Sequence, residues 1–292
     1  MDSLDPGNVA AHLRAHVEYL ARELGERSST RYASLEQARL YIEQSLMQAG
    51  YEIQHDAYEV SGATYRNVIA ERKGSDGRVV VIGAHYDTAP GTPGADDNAS
   101  GVAVLLELAR LLRDFVPAPT LRWVAFTLEE PPYYRTSLMG SRIHARKCRE
   151  RAERILCMIS LEMVGYFSDL PGSQWYPFPF ISWFYPNRGN FIALAGNFRS
   201  QRLVSKIASW ISEAGGIPVE HTPFPLPLLA SLSDNWSFWK EGYPALMMTD
   251  TAFFRNPHYH RGSDLPRTLD YARMAALVSA LGKAIRIGWA VP

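Results

Sequence analysis

The spacing of apolar and polar positions predicts helices and strands that alternate along the chain. Apolar residues three or four apart predict an amphipathic helix over 8–24, and a capping-box pattern at 34–37 predicts a second helix that ends at Gly50. Strands are predicted at 51–60, 65–73 and 79–83. The later elements are helix 99–115, strand 121–127, helix 138–150, strand 155–161, strand 191–194, helix 200–213, helix 234–240, strand 245–250 and helix 269–288. This order predicts an α/β fold in three α/β/α layers around a mixed, mainly parallel sheet, as one domain over 1–292.

Composition narrows the possible functions. A chain of 292 residues, 47% of them hydrophobic, is long enough for one large core. Lys and Arg total 30, as do Asp and Glu, and this balance argues against nucleic-acid binding or electrostatic attachment to a membrane. We see no signal-peptide pattern and no apolar run of ~18 residues, so a cytoplasmic protein without a membrane span is expected. Two cysteines, Cys148 and Cys157, are too few for a disulfide framework. The oligomeric state is not predicted.

The stretch 79–101, VVVIGAHYDTAPGTPGADDNASG, concentrates the candidate chemistry. Its short β-branched run predicts a buried strand, and His85 and Asp87 follow directly. A loop rich in proline and glycine then leads to Asp96 and Asp97, and Asn98 or Ser100 would cap the next helix. A strand, a polar loop and a helix are the arrangement that places ligands at the carboxyl end of a sheet.

Three later strands also end in polar residues. These are Glu129 and Glu130 after 121–127, Glu162 after 155–161, and His258 and His260 after 245–250. Taken singly, each is more typical of a surface or capping position, and Asp234 at the start of a helix is typical of an N-cap. Because parallel strands end at one edge of the sheet, we expect these groups to converge. Histidines, carboxylates and a free acid–base are what a pair of catalytic zinc ions requires.

Five segments carry a family resemblance. They are GAHYDT, GADDNASG, the acidic pair in FTLEEPP, SLEMVGY and NPHYHRGSD. In this order they resemble the co-catalytic zinc aminopeptidases of the bacterial leucyl-aminopeptidase and aminopeptidase Y type. The same superfamily includes glutamate carboxypeptidases and glutaminyl cyclases.

The resemblance implies two zinc ions and a set of ligands. His85 would bind one ion, and Glu162 would complete that site. Asp96 would bridge both ions, and Glu130 and His260 would bind the other.

The resemblance also implies catalytic roles. Glu129 would be the general base acting on a metal-bridging water, and Asp87 would orient His85. Tyr259 would either stabilise the oxyanion or simply pack near the site. A cis peptide bond is expected between Asp96 and Asp97.

The sequence departs from the family at three places. Glu162 stands where the family usually has aspartate, and Asn235 follows Asp234 where relatives often have histidine. The loop after Glu130 is longer than in the simplest members.

An insert at about 165–190 is rich in aromatic residues and proline. It would either cover the core or form an apolar wall of a substrate pocket. The side-chain preference stays open, because Arg135, Arg188 or Arg255 would equally select an acidic residue or a carboxylate.

These features favour a zinc-dependent exopeptidase, an aminopeptidase acting on peptides with a free N-terminus. One alternative is a glutaminyl-peptide cyclotransferase-like acyl transferase with a single zinc. Against it, the pair Asp96–Asp97 is intact, and Tyr259 stands where cyclases tend to have tryptophan. A non-catalytic metal-binding domain is a further alternative, which the presence of Glu129 disfavours.

Overall fold

The computed structural model describes residues 6–221 and 230–291, apart from the side chains of residues 179 and 180. Its strands are β1 Ile53–Val60, β2 Ala63–Arg72, β3 Arg78–His85, β4 Thr120–Phe126, β5 Arg154–Glu162, β6 Ile192–Gly196, β7 Val219–His221 and β8 Ala245–Thr249. Its α-helices are α1 Pro6–Val17, α2 Tyr32–Gln48, α3 Gly101–Leu111, α4 Gly140–Glu150, α5 Gln201–Ala214, α6 Asn235–Lys240 and α7 Tyr271–Trp289.

The strands form one mixed sheet in the order β1-β2-β4-β3-β5-β8-β6-β7. The central strands β4, β3, β5 and β8 are mutually parallel. Antiparallel pairs flank them, with β1 and β2 on one side and β6 beside β8 on the other. The predicted α/β class with a mainly parallel centre is therefore confirmed, and the carboxyl ends of four strands lie along one edge.

Alternate residues of the central strands enter two different apolar layers. Val80 and Ile82 of β3 join the larger cluster, which includes apolar residues of α1, α2, α3, α5 and α7. Val79 and Val81 join a smaller cluster with residues of α4 and α6. A strand covered on both faces needs apolar residues at successive positions, which explains the unbroken run in β3.

Three local features differ from what the sequence predicted. The second helix begins at Tyr32 and not near residue 34, because a 3₁₀ turn, Ser29–Arg31, precedes it and Ser28 accepts the backbone N–H of Thr30. The first helix widens into π turns over Glu18–Leu24. Strand β7 has three residues, too few for an alternation pattern, and was not predicted.

In the described part of the chain, we find no helix with the length and apolar character needed to cross a membrane.

Gly83 in β3 keeps the central strand close to a buried ring. A Cβ atom at Gly83 would lie 2.3 Å from Cε2 of Phe126, and Phe126 is itself fully buried. We predict that Gly83→Ala lowers the free energy of unfolding by roughly 1–3 kcal/mol, because the ring must shift within a packed layer. Urea denaturation measures the change.

Gly282→Ala is the matched control. A Cβ atom at Gly282, within α7, would lie 3.9 Å from Cδ2 of Leu108, an ordinary contact, and alanine is the better helix former. Equal effects of the two substitutions would contradict the packing explanation.

Candidate metal centre

The candidate site lies where the central parallel strands end. His85 is the last residue of β3, and Glu162 is the last residue of β5. Glu129 and Glu130 follow β4 by three and four residues, and His260 lies in the loop after β8. The convergence that the parallel strands predicted is thus present in the structure.

Asp97 lies between the two histidines. Its Oδ1 is 3.4 Å from Nε2 of His85, and its Oδ2 is 3.1 Å from Nε2 of His260. Oε2 of Glu162 lies 3.3 Å from the same nitrogen of His85, and Oε1 of Glu130 lies 3.2 Å from that of His260. The five side chains therefore form two groups of three that share the Asp97 carboxylate.

The structure contradicts the prediction that Asp96 lies between the two groups. Oδ1 of Asp96 accepts the backbone N–H of Gly165 at 2.9 Å, and its Oδ2 accepts the side-chain amide of Asn256 at 2.6 Å. Both carboxylate oxygens are thus engaged in holding neighbouring loops, and the residue is fully buried. The cis peptide bond is also one residue later than predicted, between Asp97 and Asn98.

Asp264 fixes the backbone that carries Asp97. Its two carboxylate oxygens accept the N–H groups of Asp96 and Asp97, at 2.9 and 3.1 Å. No role was expected for Asp264, because nothing near it in the sequence indicates a partner 168 residues away.

Arg27 stabilises the loop between His85 and Asp97 through hydrogen bonds from its side chain. The side chain is fully buried and donates hydrogen bonds to five carbonyl oxygens, those of Leu20, Gly25, Tyr86, Pro93 and Gly94. Burial lowers the pKa of its guanidinium to about 10, although Asp264, Asp87 and Asp97 oppose this shift, and it stays a cation at neutral pH. This residue was missed, because a single arginine in the sequence gives no signal of a buried role.

Asp87 connects His85 to the acidic pair. Its two carboxylate oxygens accept the backbone N–H groups of Glu129 and Glu130, at 3.1 and 3.0 Å. Nδ1 of His85 lies 3.1 Å from the carbonyl oxygen of Asp87 and 3.5 Å from its Oδ1. Asp87 therefore fixes both the orientation of the His85 ring and the backbone that carries Glu129 and Glu130.

Glu162 is oriented by two serine hydroxyls whose role was not predicted from the sequence. Ser233 donates to Oε2 of Glu162 at 2.6 Å, and the hydroxyls of Ser233 and Ser160 are 2.9 Å apart. The longer side chain is thus held in one position facing His85.

Glu129 is buried beside both groups. Burial raises the pKa of its carboxyl well above the usual range, with Glu130 and Glu162 adding to the shift and His85 opposing it. Burial, together with Asp97, likewise raises the pKa of Glu130 to about 7. A carboxyl with a raised pKa is a stronger base when ionised, as proton transfer at neutral pH requires.

Tyr259 stacks on His260. The two rings are 3.9 Å apart with planes 18° from parallel. Burial and the nearby carboxylates of Asp97 and Glu130 raise the pKa of the Tyr259 phenol, so it stays a hydrogen-bond donor. His258 is instead paired with the Ser263 hydroxyl at 2.9 Å, which agrees with a packing role.

Asp234 differs from its predicted N-cap role. It stands at the N-cap position of α6, but its side chain makes no capping hydrogen bond and is fully buried. Burial raises its pKa to about 7; Glu162 and Asp87 also raise it, while His85 opposes the shift. Asp234 therefore belongs to the electrostatic environment of the site.

The geometry fits a pair of metal ions. Nε2 of His85, Oδ1 of Asp97 and Oε1 of Glu130 are buried, yet they accept or donate no hydrogen bond among the described residues. Buried polar atoms without partners are costly, and atoms that converge without bonding one another are the arrangement that a cation satisfies. Histidine nitrogens and carboxylate oxygens suit zinc.

An apolar pocket opens beside this centre. Glu162 and Tyr259 line this pocket, and Trp175, Tyr176 and Tyr185 of the insert form part of its wall. Of the two roles predicted for the insert, the described residues therefore favour the pocket wall.

Arg255 anchors this wall. Its guanidinium donates hydrogen bonds to Oε1 of Gln174 and to the carbonyl oxygen of Phe191, both at 2.9 Å. These bonds connect the insert to the residue before β6 and to the loop after β8.

The chain is similar to known proteins over most of its length. The model of peptidase family M28 matches residues 67–285. A protein of Escherichia coli K12, named uncharacterized protein YfbL, is 39% identical over 279 residues, which cover 92% of this chain and 85% of that protein.

Two solved structures share the fold. BSAP, a zinc aminopeptidase from Bacillus subtilis, superposes with a TM-score of 0.77 at 14% identity, covering 97% of this chain and 95% of that one. Porphyromonas gingivalis glutaminyl cyclase superposes with a TM-score of 0.71 at 20% identity, covering 95% and 98%.

Asp97→Asn and Asp96→Asn separate the roles of the two adjacent acids. We predict that Asp97→Asn retains less zinc than the unaltered protein, because both groups lose a charged ligand atom, whereas Asp96→Asn retains it. Mass spectrometry after dialysis against zinc-free buffer counts the ions. If only the Asp96 variant lost zinc, Asp96 and not Asp97 would be the ligand shared by the two groups.

Arg27→Lys tests the support of the loop. Lysine keeps the charge but cannot reach five carbonyls, so we predict a loss of at least about 2 kcal/mol in the free energy of unfolding. Urea denaturation of the metal-free protein measures it. Arg202→Lys on the exposed face of α5 is the control, expected to change stability by less than about 0.5 kcal/mol. An equally small effect at Arg27 would contradict its role.

Proposed function

The chain belongs to peptidase family M28, and on this premise we propose that it is a zinc-dependent aminopeptidase. It would release N-terminal residues from peptides with a free amino group. One observation carries the proposal, namely two complete ligand groups that share Asp97, with the buried Glu129 beside them.

The ligands divide into two sets. His85 and Glu162 would hold one zinc ion, His260 and Glu130 would hold the other, and Asp97 would hold both. When bound, zinc supplies Lewis-acid polarisation of the peptide carbonyl and makes water a stronger acid.

Glu129 would move the proton. Its buried carboxyl, close to His85, Glu130 and Glu162 but outside both ligand groups, suits a general base that accepts a proton from the attacking water and later delivers it to the leaving amine. Asp87 would be a positioning residue, because it fixes the backbone of Glu129 through one of its carboxylate oxygens.

Tyr259 would face the carbonyl oxygen of the substrate. It lines the apolar pocket, stacks on His260 and keeps its proton. A phenol in that position donates a hydrogen bond to a developing oxyanion. Since the stack also orients His260, the two roles predicted for Tyr259 are compatible.

The second candidate is a glutaminyl-peptide cyclotransferase-like enzyme. The similarity to Porphyromonas gingivalis glutaminyl cyclase supports it at the level of the fold. A single-zinc enzyme does not need two ligand groups, and both groups here are complete. One zinc per chain, with cyclisation of N-terminal glutamine and no release of amino acids, would favour this candidate.

Glu129→Gln tests the assigned base. We predict that the variant keeps its zinc, because Glu129 is outside both ligand groups, and loses roughly a hundredfold or more in kcat, because the amide cannot accept the proton. Hydrolysis of aminoacyl anilides and metal counting on the same sample measure both effects.

Glu150→Gln, at the exposed end of α4, is the matched control and is expected to leave both values unchanged. Full activity of the Glu129 variant would refute the mechanism.

A further inference from the structure

The sheet places a second carboxylate in line with the metal centre. Glu162 of β5 is the register partner of Thr249 in β8, Thr249 is the partner of Ala193 in β6, and Ala193 is the partner of Glu220 in β7. Partners across neighbouring strands project from the same face of a sheet. All four residues line the apolar pocket, so Glu162 and Glu220 lie at opposite ends of one row.

The row leaves room between the two carboxylates. Three strand spacings of ~4.8 Å separate the backbones of Glu162 and Glu220 by ~14 Å. The two residues between them are small, a methyl group at Ala193 and a threonine at 249. An extended side chain can therefore lie along the row, with its α-carbon near the metal centre and its tip near Glu220.

The walls of the pocket are aromatic. Trp175 stacks on Phe254 with their rings 5.3 Å apart, and Tyr176 lies 6.2 Å from Tyr185. All four line the pocket. Aromatic faces favour the aliphatic stem of a long side chain and also attract a cation at its end.

Glu220 has no basic partner in the described residues. No cation lies within ion-pair distance of it in that part of the chain, and the adjoining sequence 222–229, TPFPLPLL, contains no basic residue. The carboxyl is half-buried, and burial raises its pKa. A partly desolvated carboxylate without a counterion is one that a bound cation would stabilise.

We propose that Glu220 selects substrates with an N-terminal arginine or lysine, by pairing with the charged end of that side chain in the aromatic pocket. The proposal rests on the proposed aminopeptidase function and adds to it the class of residue removed. An apolar side chain of similar length would fill the space between the aromatic walls but would leave Glu220 without a cationic partner.

Isosteric substrates isolate the effect of the charge. Arginine and citrulline anilides have nearly the same shape, but only arginine is a cation. With the zinc-loaded protein we expect kcat/KM to be roughly tenfold or more higher for arginine, as a charged hydrogen bond implies. In Glu220→Gln we expect this ratio to fall to about one. Glu213→Gln, an exposed acid on α5, should keep the native ratio.

Binding separates this proposal from the proposed function. Calorimetry with argininamide and citrullinamide measures the preference without catalysis. If no anilide is cleaved but argininamide binds more tightly in a Glu220-dependent way, the aminopeptidase proposal fails and the pocket assignment stands. If anilides are cleaved and arginine has no advantage over citrulline, or an advantage that Glu220→Gln preserves, the pocket assignment is wrong.

Discussion

The site depends on one carboxylate with its two oxygens directed to two different histidines. Asp97 lies 3.4 Å from His85, the last residue of β3, and 3.1 Å from His260, in the loop after β8. Such an arrangement has no stability of its own, because it gathers buried polar atoms without hydrogen-bond partners. The surrounding residues of the site therefore have to hold the Asp97 carboxylate between the two histidines.

Two aspartates hold it by the same physical means. Asp264 accepts the N–H groups of Asp96 and Asp97, and Asp87 accepts those of Glu129 and Glu130. In each case a carboxylate fixes two consecutive peptide groups, which sets the direction of the side chains that follow. The buried cation of Arg27 lies near both, and it lowers the cost of burying these negative charges.

The sequence predicted the parts of the site that depend on local pattern. Short apolar runs located the central strands, and their parallel order explains why His85, Glu130, Glu162 and His260 converge. The sequence did not distinguish Asp96 from Asp97, because the two acids are adjacent and identical in type. Their orientation depends on Asp264, which is 168 residues away from Asp96. Strand β7, with Glu220, was missed because three residues carry no period, and among the described strands β7 pairs with β6 alone.

Anomalous X-ray diffraction at the zinc absorption edge tests the shared role of Asp97 most directly. We predict two peaks in crystals of the zinc-loaded protein, one between His85 and Glu162 and one between His260 and Glu130, with an oxygen of Asp97 bound to each. A single peak, or two peaks bridged by a residue other than Asp97, would contradict the arrangement on which the proposed function is built.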